Sequence, residues 1–363
     1  MILSRSRLGG LALVAAGLSL AGCAPEAHRP AAEPEQPNIV FILADDLGWT
    51  DLSSYGSDLY QTPHIDGLAA QGVRFTDSYA AAAICSPTRA SIMTGKTPAR
   101  LHLTNYIAGD KTLKLKPPEW TKFLPLDEVT IAEALQSSGY ATGHFGKWHL
   151  NRDKNYEPGR PMDPGSQGFD VVLTTHKPQP DDDPEGDAHH VREITDAAIA
   201  FMEANKDQPF FSYVSHNTVH RPVIGRPDLV DDYQKKVQAE ANHQNATYAA
   251  MVHELDDSVG RILAKLDELG LTERTLVIFT SDNGGFLGDE KDDATINTPL
   301  RAGKGHSYEG GIRVPTIVRW PGVTPAGRET AEPTSSIDFY PTLLAAAGAP
   351  GDEAHNAGVD GIS

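Results

Sequence analysis

Cysteine is almost absent from this sequence. Among its 363 residues the chain has only two, Cys23 and Cys85, which are too few for a disulfide framework of the kind found in small secreted domains. No cysteines and histidines have the spacing of a zinc site, and no internal repeat is visible along the chain. Each cysteine therefore needs a separate explanation.

Positive charge is also scarce. The chain carries 31 Lys and Arg against 49 Asp and Glu, which gives a formal net charge of −18. A general nucleic-acid-binding protein would present a basic face, so we expect no nucleic-acid partner. If the substrate is an anion, the few cationic side chains must gather in one cleft to overcome the negative field of the whole protein.

The N-terminal apolar run is too short to span a membrane. Residues 8–20 are apolar and follow two arginines, a pattern typical of an export signal. Residues 20–23 (Leu-Ala-Gly-Cys) resemble a bacterial lipobox, which predicts a lipid on Cys23 and a membrane-anchored protein in the periplasm or at the cell surface. We therefore predict a lipoprotein signal at residues 1–23 and a flexible tether at residues 24–37. An ordinary signal peptide or an uncleaved anchor is the alternative.

Strand-like runs alternate with helical segments along the rest of the chain. Residues 38–44 and 275–280 are continuous apolar runs, whose length suits strands buried on both faces. Residues 246–269 carry apolar side chains at helical spacing, which predicts a core helix. This alternation predicts an α/β fold over residues 38–363, a three-layer α/β/α sandwich with a mostly parallel central sheet.

Oxygen ligands directly follow two of these predicted strands. Asp45 and Asp46 follow the first, and Asp282 and Asn283 follow the second. Adjacent carboxylates are costly to bury unless they are paired or metal-bound, and open α/β sheets bind ligands at the carboxyl ends of their strands. This set favours a hard cation, Ca²⁺ before Mg²⁺. Taken alone, the two adjacent aspartates fit a strand-terminating turn equally well.

The segment around Cys85 predicts a short helix. Pro87 suits the first helical position with Ser86 as its N-cap, and Gly95 can end the helix. The mouth of such a helix favours an anion, and Arg89, one turn on, adds a planar cation. A lone cysteine is otherwise a small buried hydrophobe.

Basic and imidazole side chains follow further predicted strands. Lys147 and His149 follow a strand at residues 140–146, and residues two apart in a strand point to the same side. His220 follows the next strand, and Lys304 lies on a glycine-flanked loop. Taken alone, a Lys-x-His pair is more often solvated surface.

One acidic segment is ambiguous. Residues 176–190 contain three consecutive aspartates and the pair His189-His190, which could form a metal or substrate loop. Proline and like charges oppose order, so a mobile surface loop is favoured.

Taken in order, these motifs resemble those of the type I sulfatases, in the alkaline phosphatase-like superfamily. Residues 85–89 match the family signature Cys-x-Pro-x-Arg. The other matching segments are residues 38–46, 146–149, 220–222, 281–284 and 303–305. The resemblance implies that a maturation enzyme oxidises Cys85 to formylglycine. It also implies that the cation is held by modified Cys85 together with Asp45, Asp46, Asp282 and Asn283.

The resemblance further implies a sulfuric ester hydrolase acting on sulfated carbohydrates outside the cytoplasm. Arg89 would steady the aldehyde hydrate, and Lys147, His149, His220 and Lys304 would contact the sulfate or its leaving oxygen. One hydroxyl of the hydrate would attack sulfur, with His220 or Lys304 as proton donor to the leaving alcohol. The second hydroxyl would then lose its proton to His149 and sulfate would be eliminated.

Two alternatives to a sulfatase stay open. One is a phosphatase or phosphonate-ester hydrolase of the same superfamily, against which Cys85 weighs because such enzymes tend to carry Ser or Thr at the nucleophile. The other is a non-catalytic surface lipoprotein that binds anionic glycans. Family members usually continue into a smaller C-terminal subdomain, and we expect that subdomain to be missing here, because the sequence stops at Ser363.

Overall fold

A computed structural model describes residues 36–108, 118–153, 155–288 and 294–363. The strands in these ranges are β1 (Asn38–Ala44), β2 (Val73–Phe75), β3 (Ser78–Tyr79), β4 (Ala141–Gly146), β5 (Val171–Thr174), β6 (Phe210–Ser215), β7 (Thr275–Ser281), β8 (Thr316–Arg319), β9 (Arg328–Thr330) and β10 (Thr334–Ser335). The α-helices are α1 (Pro63–Gln71), α2 (Cys85–Thr94), α3 (Pro98–Leu101), α4 (Ile131–Ser137), α5 (Val191–Ala204), α6 (Pro227–Gln234), α7 (Ala246–Glu268), α8 (Glu309–Ile312), α9 (Phe339–Ala347) and α10 (Glu353–Asn356). Short 3₁₀ helices cover Ser53–Tyr55, Pro164–Gln167, Thr272–Arg274 and Ser336–Asp338.

The predicted export signal lies outside the described residues. The same is true of Cys23 and of residues 24–35, which make up most of the predicted tether. Among the described helices, none combines the length and the apolar character needed to cross a membrane.

The central sheet has eight of the described strands, in the order β5-β4-β6-β1-β7-β8-β2-β9. The first five are mutually parallel. Strand β8 is antiparallel to both β7 and β2, and β9 is parallel to β2. Strands β3 and β10 form a separate parallel pair. The predicted α/β fold with a mostly parallel sheet is confirmed.

Strand β1 shows why the apolar runs are continuous. Its side chains alternate between the two faces of the sheet, and both faces are covered. Val40 belongs to one core cluster together with Leu255 of α7. Phe41 belongs to the other together with Met93 of α2 and Leu343 of α9. Helices therefore cover both faces of the sheet.

Helix α2 differs from its predicted start. The helix begins at Cys85, with Ile84 as its N-cap, so the prediction that Ser86 caps it was wrong. The Ser86 hydroxyl instead accepts a hydrogen bond from the backbone N–H of Ile107 at 3.0 Å. Gly95 ends the helix as predicted, at φ 68°, a left-handed conformation that glycine adopts without steric cost.

The carboxyl ends of β1, β4, β6 and β7 meet at one edge of the sheet because these strands are parallel. Backbone hydrogen bonds join the loops that follow them. The Asp45 N–H donates to the Thr218 carbonyl at 3.0 Å, and the Val219 N–H donates to the Asp45 carbonyl at 2.7 Å. The Asp282 N–H donates to the Ala44 carbonyl at 3.2 Å. The loops that carry the predicted site residues are thus fixed to one another.

Candidate active site

Cys85 lies in the first turn of α2 and faces the loop after β1. Its Sγ is 3.7 Å from Asp45 Oδ1 and 3.9 Å from Asp46 Oδ1. The side chain is buried. Burial, together with the carboxylates of Asp282 and Asp45, raises the pKa of Cys85 to about 12. At neutral pH the residue is therefore an un-ionised thiol, and the thiolate form needed for nucleophilic attack is scarce.

Two lysines neutralise the adjacent aspartates. The Lys147 Nζ donates to both oxygens of Asp45 at 2.8 and 2.7 Å, and the Lys304 Nζ donates to Asp46 Oδ2 at 2.7 Å. Burial would raise the pKa of Asp45, but Lys147 and further cations outweigh it and hold that pKa well below its usual value. Asp46, held at φ 65°, also has a lowered pKa, because Lys304, His220 and Lys147 together outweigh burial there. Both carboxylates are therefore ionised.

Asp282 is held in place between the loop after β1 and Arg89. Its Oδ1 accepts from the backbone N–H of Asp46 at 3.2 Å, and its Oδ2 accepts from Arg89 Nε at 2.8 Å. The buried guanidinium also donates to Ser215 Oγ at 2.6 Å. Arg89 thus supports the carboxylates from inside the protein, and its contact with a modified residue 85 stays a prediction.

The donor set at this edge fits a hard cation. Ligand atoms of Asp45, Asp46, Cys85 and His220 lie within 4.8 Å of one another. Asn283 donates from Nδ2 to Asp46 at 2.8 Å, and its buried Oδ1 has no hydrogen-bond partner among the described residues. An unpaired buried acceptor is costly, and a bound cation would satisfy it while neutralising the carboxylates. The geometry adds His220 to the group of nearby ligand atoms.

His149 is oriented by a backbone carbonyl. Its Nε2 lies 3.1 Å from the Ile107 carbonyl oxygen. Since a carbonyl can only accept, Nε2 carries the proton and Nδ1 is the free acceptor. Nδ1 is buried and has no hydrogen-bond partner among the described residues. Burial, with the charge of Lys147, holds the pKa of His149 well below its usual value, so the ring is neutral.

The reason why Lys147 and His149 share a cleft differs from the predicted one. Strand β4 ends at Gly146, and His149 has a left-handed backbone at φ 58°. Strand alternation therefore does not orient the pair. The turn after β4 orients Lys147 and His149 instead, and both side chains line the same cavity.

His220 also lies beside Asp46. Its Nδ1 is 2.6 Å from the Arg221 carbonyl oxygen, so this nitrogen donates. Its Nε2 is 3.6 Å from Asp46 Oδ2. Burial lowers the pKa of His220 although Asp46 acts in the opposite direction. The neutral ring therefore has its lone pair on Nε2.

Part of this site lines a cavity of about 780 Å³, namely Asp46, Cys85, Lys147, His149, His220 and Lys304. Its walls also include Lys177 and Phe286, which no motif indicated, and Arg221, which belongs to the matching segment 220–222 but had no predicted role. Lys177 belongs to the segment interpreted as an acidic surface loop, and no motif distinguishes it there. The three consecutive aspartates, residues 181–183, are exposed and do not line this cavity.

Comparison with known proteins identifies the family. The family model "Sulfatase" matches residues 37–349. A protein from Formosa agariphila named sulfatase is 34% identical over 87% of this chain and 69% of its own length. The N-acetylgalactosamine-6-sulfatase of the dog is 33% identical over 93% of this chain and 65% of its own length. The chain therefore spans about two thirds of these relatives.

A solved structure agrees with this result. The crystal structure of Ps i-CgsB in complex with k-i-k-neocarrahexaose matches with a TM-score of 0.73 and 31% identity, covering 90% of this chain and 75% of that one. The family model covers most of the chain, and the relatives are more than 30% identical to it. The chain belongs to the sulfatase family of sulfuric ester hydrolases.

Proposed function

We propose that this protein hydrolyses sulfate esters of carbohydrates outside the cytoplasm. The observation that carries the proposal is the position of Cys85. Its Sγ lies within 3.9 Å of Asp45 and Asp46, in a cavity that also receives Lys147 and Lys304. The chain has a net charge of −18, yet positive side chains gather in this cavity. An anionic ester would therefore be attracted to the cavity and repelled by the rest of the surface. The dog relative and the carbohydrate-bound crystal structure support a saccharide substrate.

A divalent cation, Ca²⁺ before Mg²⁺, is the proposed metal. Asp45, Asp46, Asp282, Asn283 and residue 85 would hold it, and the unpaired Asn283 Oδ1 supports that assignment. When bound, such a cation supplies Lewis-acid polarisation of the sulfate oxygens. Several carboxylates in a small volume suit the larger and more flexible shell of Ca²⁺.

Cys85 is proposed to be converted to formylglycine by a maturation enzyme. This group supplies a hydroxyl nucleophile where the buried thiol is un-ionised. Residue 85 begins α2, so the backbone N–H groups of the first turn add positive potential at this point. The guanidinium of Arg89, one turn on and fixed by Asp282, adds a second fixed positive charge behind residue 85.

The hydrogen-bond pattern divides the proton transfers between two side chains. Lys304 keeps its proton, because Asp46 raises its pKa against the effect of burial, so Lys304 can donate to the leaving oxygen. Neutral His220 has no proton on Nε2 and is the weaker donor. His149 presents a free Nδ1, which suits it to accept the proton released at residue 85.

Export as a lipoprotein is the proposed localisation. The residues that support it are the apolar run at residues 8–20 and the lipobox-like residues 20–23. Substituting Cys23→Ala should move the protein from the membrane fraction to the soluble fraction. Unchanged fractionation of the variant would reject a lipid on this cysteine.

The test combines chemistry at residue 85 with turnover. The protein is co-expressed with a maturation enzyme, and peptide mass spectrometry determines the form of residue 85. Paired sulfate and phosphate esters of one phenol, and a panel of sulfated saccharides, are then assayed with and without a chelator. We expect the aldehyde form, faster release of sulfate than of phosphate, and loss of activity on chelation that Ca²⁺ restores.

The alternatives have distinct outcomes in this test. Active protein that contains only unmodified thiol would reject the formylglycine mechanism. Preferred cleavage of the phosphate ester would indicate a phosphatase. Saccharide binding without turnover, unchanged in Cys85→Ala, would indicate a glycan-binding protein that is not an enzyme.

A further inference from the structure

The cavity extends well beyond the groups that surround residue 85. Along the carboxyl edge of the sheet the strands follow the order β5-β4-β6-β1. Lys177 lies three residues beyond β5, whereas Asp45 and Asp46 follow β1. Neighbouring strands are about 4.8 Å apart, so β5 and β1 are separated by roughly 14 Å. Since Lys177 lines the same cavity, the cavity can hold more than one sulfate group.

Among the described residues, the acidic side chains that line this cavity are already paired. Asp46 contacts Lys304 at 2.7 Å. Asp153 and Asp163 lie toward the β5 side, and both contact Arg160, at 3.7 and 2.9 Å. Each of these three carboxylates therefore already has a cationic side chain of the protein beside it.

Lys177 is a cation without such a partner. Among the described residues, no carboxylate forms an ion pair with it. Partial burial and repulsion by the ammonium groups of Lys147 and Lys304 lower the pKa of Lys177, although Asp45 and Asp46 act in the opposite direction. An anion placed between these lysines would relieve that repulsion.

Arg221 adds a second cation to the same wall. Its guanidinium carbon lies 4.6 Å from the centroid of the Phe286 ring, and both side chains line the cavity. Stacking on the ring fixes the orientation of the guanidinium.

We propose that Lys177 binds a second anionic group of the substrate. That group is a sulfate or a carboxylate on the same sugar or on its neighbour, and the site therefore selects polyanionic saccharides over singly sulfated ones. The inference rests on the proposed function, because it assigns a substrate class to the same cavity.

Three matched saccharides test the inference on the full chain matured at Cys85. One carries a single sulfate, one is the same sugar with a second sulfate, and one is the singly sulfated sugar linked to a uronic acid. We expect Lys177→Ala to lower kcat/KM about tenfold for saccharides with a second anion and less than about twofold for the singly sulfated one. The second and third saccharides show which anion is preferred.

Two control variants accompany Lys177→Ala. Lys177→Arg keeps the charge and should keep the preference. Lys235→Ala removes the lysine at the C-cap of α6, whose side chain is 73% exposed, and it should behave as wild type on all three saccharides. Equal kcat/KM of the wild type on all three, or an equal loss on all three in Lys177→Ala, would overturn the inference.

A binding measurement separates this inference from the proposed hydrolysis. Calorimetry with the same saccharides gives the affinity ratio directly. A preference for the second anion that disappears in Lys177→Ala supports the anion site even if no ester is cleaved, and the absence of cleavage would then reject only the hydrolase. Cleavage without any affinity preference would reject only the anion site.

Discussion

Arg89 is the residue on which the buried charges of the site depend most directly. It is 1% exposed and contacts Asp282 through Nε and Nη2, both at 2.8 Å. Arg89→Ala would leave this carboxylate buried without its main counter-charge, which typically costs about 3–5 kcal/mol of the free energy of unfolding. Arg89→Lys keeps a charge but loses the planar fork, so we expect an intermediate loss. Urea unfolding measures the free energy of unfolding of both variants.

An exposed arginine is the control for this prediction. Arg226 forms an ion pair with Asp228 at the surface, where such pairs contribute little. Arg226→Ala should therefore unfold close to the wild-type midpoint. If Arg89→Ala and Arg226→Ala shifted the midpoint equally, the buried pair would not support the fold in the way described.

Which site residues could be predicted from the sequence depends on the kind of signal. Asp45, Asp46 and Asp282 could be placed together because each follows a continuous apolar strand, and parallel strands end at one edge. Ser215 could not be placed, because it is the last residue of a strand and its contact with Arg89 arises only from the pairing of β6 with its neighbours. Lys177 has no motif and is positioned only by the strand order.

At the scale of elements, α1 and α7 pack closely at one glycine. A Cβ on Gly260 of α7 would lie 2.5 Å from the ring carbon Cγ of His64 in α1, whereas a Cβ on Gly67 of α1 meets nothing within 4 Å. Gly67→Ala should raise the free energy of unfolding by up to about 1 kcal/mol through helix propensity. Gly260→Ala gains the same propensity but forces the helices apart, so we expect a net loss of about 1–3 kcal/mol.

The two glycine variants control for each other, since both replace a helical glycine by alanine. Thermal unfolding should move their melting temperatures in opposite directions. A rise for both would show that His64 moves away at little cost and that α1 and α7 do not need a close contact at this position.

The elements themselves were predictable to different degrees. Helix α7 was predicted at residues 246–269 and is observed at Ala246–Glu268, because a long apolar stripe defines it. The predicted start of α2 was wrong because the Ser86 hydroxyl accepts a hydrogen bond from the backbone N–H of Ile107 instead of capping the helix. Ile107 lies 21 residues further along the chain. Local capping rules do not include such a tertiary contact.

At the scale of the whole molecule, positive charge is concentrated in the cavity although the chain as a whole is negative. The composition suggested such a concentration but could not locate it. The net charge of −18 makes the bulk surface unfavourable for a polyanion. Lys147, Lys304 and Lys177 come from separate segments and meet in one cavity. An anionic substrate would require positive side chains to gather in one place on a chain of this composition. The order of the parallel strands brings the segments that carry them to the same edge of the sheet.

A second charged cluster, away from the cavity, makes the stability of the whole molecule depend on pH. The buried ring of His243 has Nδ1 2.9 Å from Asp58 and Nε2 3.5 Å from Asp51. Burial would lower the pKa of His243, but the two carboxylates raise it above its usual value. Burial would raise the pKa of Asp58, but hydrogen bonds from the backbone N–H groups of His243 and Asn242, together with the His243 ring, outweigh it and lower that pKa to about 2, so Asp58 is ionised throughout the neutral range.

The sign of the effect follows from these directions. Because the pKa of His243 is higher in the folded than in the unfolded chain, its charged form stabilises the fold fully below the unfolded value of about 6.5. This stabilisation is lost as the pH rises through the pKa of the folded state. His243→Gln should therefore lower the melting temperature most near about pH 6 and least near about pH 9. A difference between wild type and variant that is constant, or that grows with pH, would show that His243 is neutral in the folded protein.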